Sequence, residues 1–521
     1  MKRSFIIIEI AILLALLCSR AILAAGEPDT SFNGNGRVKT RMGVSDDWVE
    51  RIATQIDGKI VVAGYSKNAA GNSDIAVLRL NPDGTLDTTF NGTGKLLKAI
   101  GPGDDYATGL AIQPDGKIIV GGYAFNGKDD DIALIRINPN GSMDGTFGSG
   151  GIATTSIRGY DRSFGLALQY DGKIVVAGFI YSAASDNMAV IRYNSNGTLD
   201  TSFGSNGVVE DDSAIWKFAP KDVKVQPDGR VVVAGEGFNE TTLLAVFAVA
   251  RYLPNGAPDT VFGGTGKIFT QMRGGFNRAF SLALSEDGSI VLGGGSSDGE
   301  FNSDYTTARY RADGSLDPNF GNGGVRITRV GDWINMGRAV SIQQDGKVLL
   351  GGTRFENFTN YQNFGVVRYQ WNGTLDTAFG AGGLADFDWD SGSDNAAAME
   401  LQPDGKILVA GTTFDRVTGE TSFAMVRLLG DLTYPYAGVF GQVTDSRGIG
   451  VGGAKVTITN MQNGEVQTLS TSPLGYYVSL QMPANYYYQV KVSSKGRRFT
   501  TPRTFRLLGN IGPLVIPSDS D

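Results

Sequence analysis

The sequence predicts an all-β protein in which a seven-bladed β-propeller is followed by a small β-sandwich. The 521-residue chain holds 73 glycines, and the dipeptide Asp-Gly recurs in it at a nearly constant spacing. The apolar runs between these turns are short, rich in β-branched residues and without a helical period. We expect a signal peptide over residues 1–25, the propeller over 26–432 and the sandwich over 433–521.

The N-terminal segment 1–25 has the pattern of a secretory signal peptide. Lys2 and Arg3 precede the apolar run 5–17, and small residues follow at Ala24 and Ala25. The pattern predicts export to the periplasm, the bacterial cell surface or the medium. No other stretch is apolar over about 18 residues, so no transmembrane segment is expected in the mature chain.

The composition excludes several kinds of chemistry. The chain has no histidine, and its one cysteine, Cys18, lies in the predicted signal peptide. Histidine-dependent nucleophilic catalysis, histidine-ligated zinc and thiol catalysis are therefore excluded. A net charge of −7 disfavours nucleic acid as a partner. We expect no cofactor and no metal, since no Asp-x-Asp-x-Asp-Gly calcium loop occurs and the Gly-Gly pairs precede no helix.

Seven repeat units follow from the Asp-Gly turns, whose aspartates are Asp57, Asp115, Asp171, Asp228, Asp287, Asp345 and Asp404. In the second unit, the pattern predicts an inner strand near 109–113, further strands near 117–122 and 132–138, and an outer strand around 143–147. Four strands in a repeat of this length are typical of a propeller blade, whereas an open solenoid has a shorter repeat.

The phase of the repeat predicts how the ring closes. The last unit stops after Leu428 without an outer strand, and the missing piece occurs instead as Pro28–Phe32. We expect this N-terminal segment to supply the fourth strand of blade seven, so that both ends of the ring share one sheet.

Each unit also carries an arginine followed eight positions later by an aspartate, except that in the last unit the partner is expected to be near the N-terminus. Residues equidistant from a hairpin turn lie opposite one another, so we expect structural cross-strand pairs, each contributing about 0.2–1 kcal/mol at a surface. The pairs are Arg79/Asp87, Arg136/Asp144, Arg192/Asp200, Arg251/Asp259, Arg309/Asp317, Arg368/Asp376 and Arg427/Asp29.

The units resemble the delta-60 repeat family of exported bacterial proteins. The resemblance is carried by the Leu-Asp-x-x-Phe-Gly opening at Leu199–Gly204, the Gln-Pro-Asp-Gly-Lys-Ile hairpin at Gln402–Ile407 and the Ala-x-x-Arg-Tyr strand at Ala189–Tyr193. It covers residues 28 to 430 and implies a propeller fold. It brings no established activity and no catalytic residues.

After residue 436 the repeat gives way to short alternating strands, which predict an antiparallel sandwich. Its marks at Gly441, Gly453 and Thr471 resemble the carboxypeptidase regulatory-like domain. This module is not the peptidase itself, and a chain without histidine has no zinc ligands of that kind.

Ten positions before each Asp-Gly turn lies a mostly polar residue that is expected to surround one mouth of the channel. These residues are Asp47, Asp105, Asp161, Phe218, Asn277, Asn335 and Asp394. The six polar members form a candidate ring for a cation, a sugar or a basic peptide. The alternative is structural, because Asp and Asn side chains also cap neighbouring turns.

The connection in blade six carries a second candidate ligand surface, since variable loops on a repeated scaffold often serve recognition. Its aromatic residues are Phe355, Phe358, Tyr361 and Phe364. The alternative is that they cover an edge of the blade.

Two functional classes follow from the sequence. The first is a non-catalytic binding or scaffold protein of the cell envelope or exterior, with the propeller recognising a protein or a glycan. The second is a carboxylate-dependent glycoside hydrolase or lyase, since paired carboxylates need no histidine. Its candidate residues, Asp386, Asp388 and Asp390, also have the alternation of an exposed strand.

Overall fold

The computed structural model describes residues 24–55, 57–169, 171–182, 185–211, 216–285, 287–299, 302–355, 361–389, 392–402, 404–431, 436–461, 464, 466–472, 475–483, 487–499, 503–506 and 511–518. The predicted signal peptide lies almost entirely outside these residues. No helix in the described part of the chain has the length and apolarity needed to cross a membrane.

The first 28 strands form seven four-stranded antiparallel sheets, confirming the predicted blades. Strand β1 (Arg37–Thr40) comes first and belongs to blade seven. The strands of blades one to three are β2 (Ser45–Thr54), β3 (Ile60–Lys67), β4 (Ser73–Leu80), β5 (Lys95–Lys98); β6 (Asp105–Ile112), β7 (Ile118–Phe125), β8 (Asp130–Ile137), β9 (Ile152–Thr155); and β10 (Tyr160–Leu168), β11 (Ile174–Ser182), β12 (Ser185–Tyr193), β13 (Val208–Asp211).

Blades four to seven repeat the same order from inner to outer strand. Their strands are β14 (Trp216–Val225), β15 (Val231–Asn239), β16 (Leu244–Tyr252), β17 (Lys267–Thr270); β18 (Asn277–Leu284), β19 (Ile290–Ser297), β20 (Ser303–Tyr310), β21 (Val325–Thr328); β22 (Met336–Ile342), β23 (Val348–Phe355), β24 (Gln362–Tyr369), β25 (Leu384–Phe387); and β26 (Asp394–Leu401), β27 (Ile407–Asp415), β28 (Glu420–Leu428) with β1.

Ring closure by the N-terminal segment is confirmed, although the closing strand differs from the predicted one. Strand β1 pairs antiparallel with β28, placing Arg37 opposite Val426 and Thr40 opposite Phe423. Pro28, expected within the strand, forms only an isolated bridge to Leu428. Buried apolar clusters lie between consecutive blades, and one of them joins blade one to blade seven. The core is therefore continuous around the ring.

In each blade the outer strand begins later in the chain than predicted, and a local turn before it explains the shift. In blade two it is β9 rather than residues 143–147. Asp144 Oδ1 accepts hydrogen bonds from the Thr146 amide and hydroxyl at 3.1 and 2.7 Å, which closes a local turn. Met143 makes one isolated bridge to Ile137, and Phe147 is fully buried. The Leu-Asp-x-x-Phe segment is therefore a folded turn, and the ladder resumes after it.

The C-terminal domain consists of two further sheets that share one apolar core, including Val443, Val456 and Val490. One sheet has the order β32-β29-β35 and the other β31-β30-β33-β34. The pairing of β29 with β35 is parallel, unlike the all-antiparallel prediction. The strands are β29 (Tyr436–Thr444), β30 (Lys455–Asn460), β31 (Val466–Ser470), β32 (Tyr476–Pro483), β33 (Tyr487–Ser493), β34 (Arg503–Arg506) and β35 (Ile511–Pro517).

Candidate binding site in the propeller channel

The recurring arginine–aspartate pairs are present in all seven blades. Each Nε lies 2.7 or 2.8 Å from the aspartate Oδ2. Each guanidinium also lies over a buried phenylalanine ring of its own blade, at 4.4 to 5.2 Å from the centroid. The predicted pairing is therefore found in the structure, including the pair between Arg427 and Asp29.

The surface position expected for these pairs is wrong, because both partners are largely buried. In blade six, Arg368 is 1% exposed and Asp376 is 5% exposed, and Arg368 Nε donates to Asp376 Oδ2 at 2.8 Å. The outer turn and the adjacent blade cover each pair, so the estimate for a surface pair does not apply to it. The largely buried pairs are Arg79/Asp87, Arg136/Asp144, Arg192/Asp200, Arg251/Asp259, Arg309/Asp317, Arg368/Asp376 and Arg427/Asp29.

The same arginines connect neighbouring blades. Arg79 donates to the carbonyl of Pro139 in blade two, and Arg192 Nη1 donates to the carbonyl of Pro254 at 2.6 Å. In blade six the guanidinium of Arg368 instead reaches the Asp431 carboxylate at 3.0 Å. Removing one partner of a buried pair leaves an uncompensated charge, and the repetition of these pairs around the ring fits a structural role.

The predicted ring of carboxylates and amides lies inside the loops. Asp47, Asp105, Asp161, Asn277, Asn335 and Asp394 are all fully buried. Each aspartate accepts a hydrogen bond from a backbone amide four or five positions earlier, for example from Ile100 N to Asp105 at 2.7 Å. The Asn335 Oδ1 accepts from Phe355 N at 2.9 Å. This geometry matches the structural alternative, and these groups present no accessible atoms to a ligand.

The aromatic residues of the blade-six connection do not form one surface. Phe364 is fully buried in the core, where its ring lies 5.8 Å from Trp389. It is therefore not placed to contact a ligand. Tyr361 packs under the Arg416 guanidinium at 3.8 Å, and Phe355 is half-buried at the end of β23. Phe358 lies outside the described residues.

The candidate catalytic aspartates occupy the outer edge of blade six. Asp386 is in β25 and forms an ion pair with Arg354. Asp388 follows the strand and is exposed, and Asp390 lies outside the described residues. Their position is that of the exposed strand considered as the alternative.

A different set of residues converges on the channel. Every inner strand contains a β-bulge between two residues that flank the same repeat position. Bulges redirect a side chain out of the regular alternation. The bulged residues all line one chamber of about 300 Å³. They are Glu50, Thr108, Phe164, Lys221, Phe280, Arg338 and Ala397.

One side of this chamber is aromatic. This side is lined by the rings of Trp48, Tyr65 and Phe164. These three belong to a longer series of six rings from blades one to three, which we call the aromatic arc and which consists of Trp48, Tyr65, Tyr106, Tyr123, Phe164 and Phe179. Successive centroids along the arc lie 4.7 to 6.5 Å apart. Trp48 is 37% exposed, so the arc is reached from solvent at this edge.

The other side of the chamber is charged. Lys221 in blade four and Arg338 in blade six line the cavity, and Arg278 in blade five pairs with Glu236 at 3.1 Å. Lys221 Nζ lies 4.7 Å from the Phe164 centroid, and the Arg338 guanidinium lies 4.3 Å from the Phe280 centroid. Such cation–π contacts hold each cation against an aromatic wall of the chamber.

Arg51 crosses the channel between this chamber and a second one. Its guanidinium donates to the carbonyls of Phe164 at 2.7 Å and Lys221 at 3.3 Å. The second chamber has a volume of about 560 Å³. Arg51, Phe280 and Arg338 line both chambers, and the other residues of the second chamber are mostly aliphatic, together with Asp222, Lys224 and Glu400. The channel is thus divided into an aromatic and cationic chamber and a mainly aliphatic one.

Burial shifts the titration of several chamber residues. It raises the pKa of Glu50, although the charges of Arg51, Arg338 and Lys221 oppose this. Burial lowers the pKa of Lys221, with Arg278 and Arg338 acting in the same direction and Glu236 and Glu50 opposing them. It also raises the pKa of Tyr65, and raises that of Tyr123 to about 12. Desolvation therefore disfavours the charged form of each of these groups.

Comparison with protein families agrees with the repeat count. The family described as "Domain of unknown function (DUF5122) beta-propeller" matches residues 55–90, 113–147, 169–203, 226–262, 286–320, 343–379 and 402–433. The chain is a DUF5122 β-propeller protein. The carboxypeptidase regulatory-like domain matches residues 438–510, as the motifs at Gly441, Gly453 and Thr471 indicated. Among curated proteins, none matches the sequence.

Solved structures similar to the DUF5122 protein have diverse functions. A streptogramin B lyase is 10% identical, with a TM-score of 0.39 and coverage of 75% of this chain and 97% of that chain. The polysaccharide lyase Uly1 is 10% identical, with a TM-score of 0.42 and coverage of 74% and 90%. Chaetomium thermophilum Sqt1, bound to the N-terminus of ribosomal protein L10, is 11% identical, with a TM-score of 0.39 and coverage of 75% and 99%. These likenesses do not bear on function.

The chamber of the DUF5122 propeller was not predicted, although the sequence carries a signal for it. The bulged residue lies seven positions before each Asp-Gly turn, and its type varies between units while neighbouring positions recur. Seven positions after the turn aspartate every unit has a glycine, namely Gly64, Gly122, Gly178, Gly235, Gly294, Gly352 and Gly411. A Cβ at these glycines would lie only 1.7 to 2.2 Å from a carbonyl oxygen of the inner strand. The glycines therefore accommodate the bulge.

Proposed function

We propose that this protein is an exported, non-catalytic binding protein whose propeller recognises a glycan in the aromatic and cationic chamber. The aromatic arc is the observation that supports this proposal. The signal-peptide pattern of the N-terminal segment supports export. The C-terminal domain then serves to space the propeller from a surface or to attach it there.

The arc has the properties of a sugar-binding platform. The apolar C–H faces of a pyranose ring stack on aromatic rings, while its hydroxyls need polar partners nearby. Trp48, Tyr65 and Phe164 give the chamber an apolar lining, and Lys221 and Arg338 supply nitrogen donors to the same chamber. Small-molecule sites typically combine such an apolar lining with a few placed polar groups.

The titration properties of the arc favour binding over catalysis. A general base works best with a pKa near the operating pH. The pKa of Tyr65 and that of Tyr123 are both raised, so neither hydroxyl is prepared to accept a proton from a substrate. These tyrosines are suited to stacking and hydrogen bonding.

A carboxylate-dependent glycoside hydrolase or lyase is the second candidate. One observation favours it: Glu50 lines the chamber, and burial raises the pKa of its carboxyl group. A protonated carboxylic acid beside a bound sugar has the property of a general acid. In this interpretation Glu50 replaces Asp386 and Asp388 as the candidate catalytic residue.

A glycan-binding screen of the purified mature protein tests the proposal. The variants Trp48→Ala and Tyr65→Ala remove two rings of the arc, and Trp371→Ala is the matched control. Trp371 is 56% exposed on a turn of blade six and does not line the chamber. We expect saturable binding that both arc variants weaken at least tenfold and the control leaves unchanged. Binding that is insensitive to both arc variants, or the absence of any binding, would contradict the proposal.

The enzymatic alternative makes a different prediction for the same preparations. Turnover of a bound oligosaccharide that is lost in Glu50→Gln, with binding retained, would establish an enzyme. Stable complexes without product, equal for the parent protein and Glu50→Gln, support the binding function.

A further inference from the structure

We propose that the recognised glycan is anionic, and that Lys221 and Arg338 hold a carboxylate or sulfate group of one sugar residue in the chamber. This inference rests on the proposed function and specifies the ligand class of the same site. It concerns the two bulged cations, which come from blades four and six.

The first support is that neither cation forms a direct ion pair, although the charge of Glu50 acts on both and that of Glu236 acts on Lys221. Within the described residues, no carboxylate oxygen lies within ion-pair distance of Lys221 Nζ or the Arg338 guanidinium, whereas Arg278 is paired with Glu236. The Nε of Arg338 is buried and finds no hydrogen-bond acceptor in the described part of the chain. Buried polar groups are normally satisfied, and an unsatisfied one calls for an additional group at the site.

The second support is electrostatic. Glu50 is the chamber carboxylate, and its Oε2 lies 3.9 Å from Arg51, which is itself bonded to two carbonyls across the channel. Burial lowers the pKa of Lys221 and that of Arg338; Glu50 opposes the shift for both and Glu236 opposes it for Lys221, while Arg278 lowers both, and the net pKa shift is downward for each cation. An added anion would compensate this cost, because opposite charge favours the charged form of both groups.

The third support is the match in shape and chemistry. A guanidinium presents parallel N–H donors that suit the oxygens of a carboxylate or a sulfate. Phe280 backs Arg338 and Phe164 backs Lys221, so both charges are fixed at the wall of the chamber. A sugar ring stacked on Tyr65 and Trp48 would direct its acidic substituent toward blades four to six.

The size and lining of the chamber favour a glycan over an acidic peptide. A volume of about 300 Å³ takes a single sugar residue of a chain. Next to Tyr65 the arc continues outside the chamber with the rings of Tyr106 and Tyr123, which offer further stacking surfaces for successive sugars. An acidic peptide would need only the cations Lys221 and Arg338, and the aromatic rings would have no role in binding it.

The test compares oligosaccharides that differ in charge alone. Oligogalacturonate is compared with its fully methyl-esterified form, and a sulfated galactan oligosaccharide with its desulfated form. Polyglutamate is the acidic peptide probe. Lys221→Gln and Arg338→Gln each remove one cation. Lys224→Gln, on the same strand as Lys221 but lining the other chamber, is the matched control.

We expect the acidic member of at least one pair to bind at least tenfold more tightly than its neutral counterpart, with an affinity that decreases as salt rises. Each cation variant should abolish this preference and the control should retain it. The comparison of ligands and the salt series use the parent protein, so they remain decisive if a variant fails to fold.

The possible failures are distinguishable. Equal binding of charged and neutral oligosaccharides would overturn this inference and leave glycan recognition intact. Binding of polyglutamate but of no oligosaccharide would overturn both in favour of an acidic peptide ligand. Absence of any binding would overturn the proposed function together with the inference. Carboxylate and sulfate recognition are separated by which pair shows the preference.

Discussion

Arg427 and Asp29 are 398 positions apart in the chain, yet the arginine Nε lies 2.8 Å from the aspartate Oδ2. The remaining donors of Arg427 bond the Ser31 hydroxyl at 3.2 Å and the Pro82 carbonyl of blade one. This single side chain therefore connects the C-terminal end of the ring, the N-terminal segment and the first blade.

The first prediction concerns this connection. Asp29→Ala leaves a buried arginine without its counter-charge, which costs about 3–5 kcal/mol in the free energy of unfolding. Asp259→Ala breaks the equivalent pair inside blade four and should cost a similar amount in urea unfolding. Only Asp29→Ala should also release residues 24–40 to limited proteolysis, because only Asp29 ties a chain end. Equal protease resistance of the two variants would refute the role in closure.

Part of this architecture could be predicted from the sequence. The seven blades and the seven ion pairs follow from residues that recur at fixed distances from a hairpin turn. Arg427 lacked a partner eight positions later, and that gap correctly indicated Asp29. Information repeated seven times is robust, because an error in one unit is corrected by the other six.

The burial of the pairs could not be predicted, because it depends on contacts between blades. The hairpin register places Asp376 opposite Arg368, but it does not show that the Arg368 side chain also reaches Asp431, far along the chain. Packing of this kind covers an ion pair that the local pattern would leave at a surface.

The outer strands could not be placed correctly from the sequence, because a local turn competes with strand formation at the predicted positions. Met143 and Phe147 are residue types that favour strands, but the Asp144 carboxylate accepts a hydrogen bond from the amide two positions ahead and turns the chain.

The chamber could not be predicted for another reason. Its residues differ between units, for example Glu50 and Arg338, so a search for recurrence discards the positions that give the channel its chemistry.

The second prediction concerns the glycines that accommodate the bulges. A Cβ at Gly122 would lie 1.7 Å from the Tyr106 carbonyl oxygen, a backbone atom that cannot move independently. A Cβ at Gly121 would lie 2.6 Å from Leu166 Cδ1, the end of a flexible side chain. Gly122→Ala should therefore lower the free energy of unfolding by about 3 kcal/mol, the upper end for overpacking, and also weaken ligand binding.

Gly121→Ala is the matched control for this substitution. Four blades have alanine at the equivalent position, namely Ala63, Ala177, Ala234 and Ala410. Its cost should be about 1 kcal/mol or less, with binding unchanged. Urea midpoints of the two variants compare them directly, and a larger loss for Gly121→Ala would show that the bulge is not what requires glycine.

The third prediction concerns stability in acid. Burial acts to raise the pKa of Asp144, but hydrogen bonds from Thr146 and the charges of Arg136 and Lys117 together lower it from 3.8 to about 2. An aspartate with a lowered pKa stabilises the folded state above the unfolded value, and this contribution is lost as pH falls from 3.8 toward 2. The pKa shift has the same direction for Asp29, Asp87 and Asp317.

Urea unfolding at pH 5 and at pH 2.5 checks this dependence. The parent protein should lose stability between the two values. The difference between parent and Asp144→Asn should be large at pH 5 and smaller at pH 2.5, because at pH 2.5 the unfolded chain binds a proton at Asp144 while the folded carboxylate, with its lower pKa, stays mostly ionised. A difference that does not change with pH would mean that the ionised form contributes nothing.

The fourth prediction concerns Glu400 in the second chamber. Burial raises the pKa of its carboxyl group from 4.5 to about 7, with the Lys224 charge and the Thr54 backbone acting against the shift. The neutral acid is therefore favoured in the folded state. Its contribution to stability is complete below pH 4.5 and is lost as pH rises through 7, since the unfolded chain releases the proton first.

The composition of the chain makes the dependence of stability on pH between 5 and 8 informative. Histidine normally dominates titration between pH 5 and 8, and this chain has none. A decrease in the urea midpoint between pH 5 and 8 should therefore arise from buried acids such as Glu400 and Glu50. Glu400→Gln should flatten the decrease substantially, whereas Glu240→Gln on an exposed turn should leave it unchanged. A slope that survives in Glu400→Gln and disappears in Glu50→Gln would instead assign the titration to the first chamber.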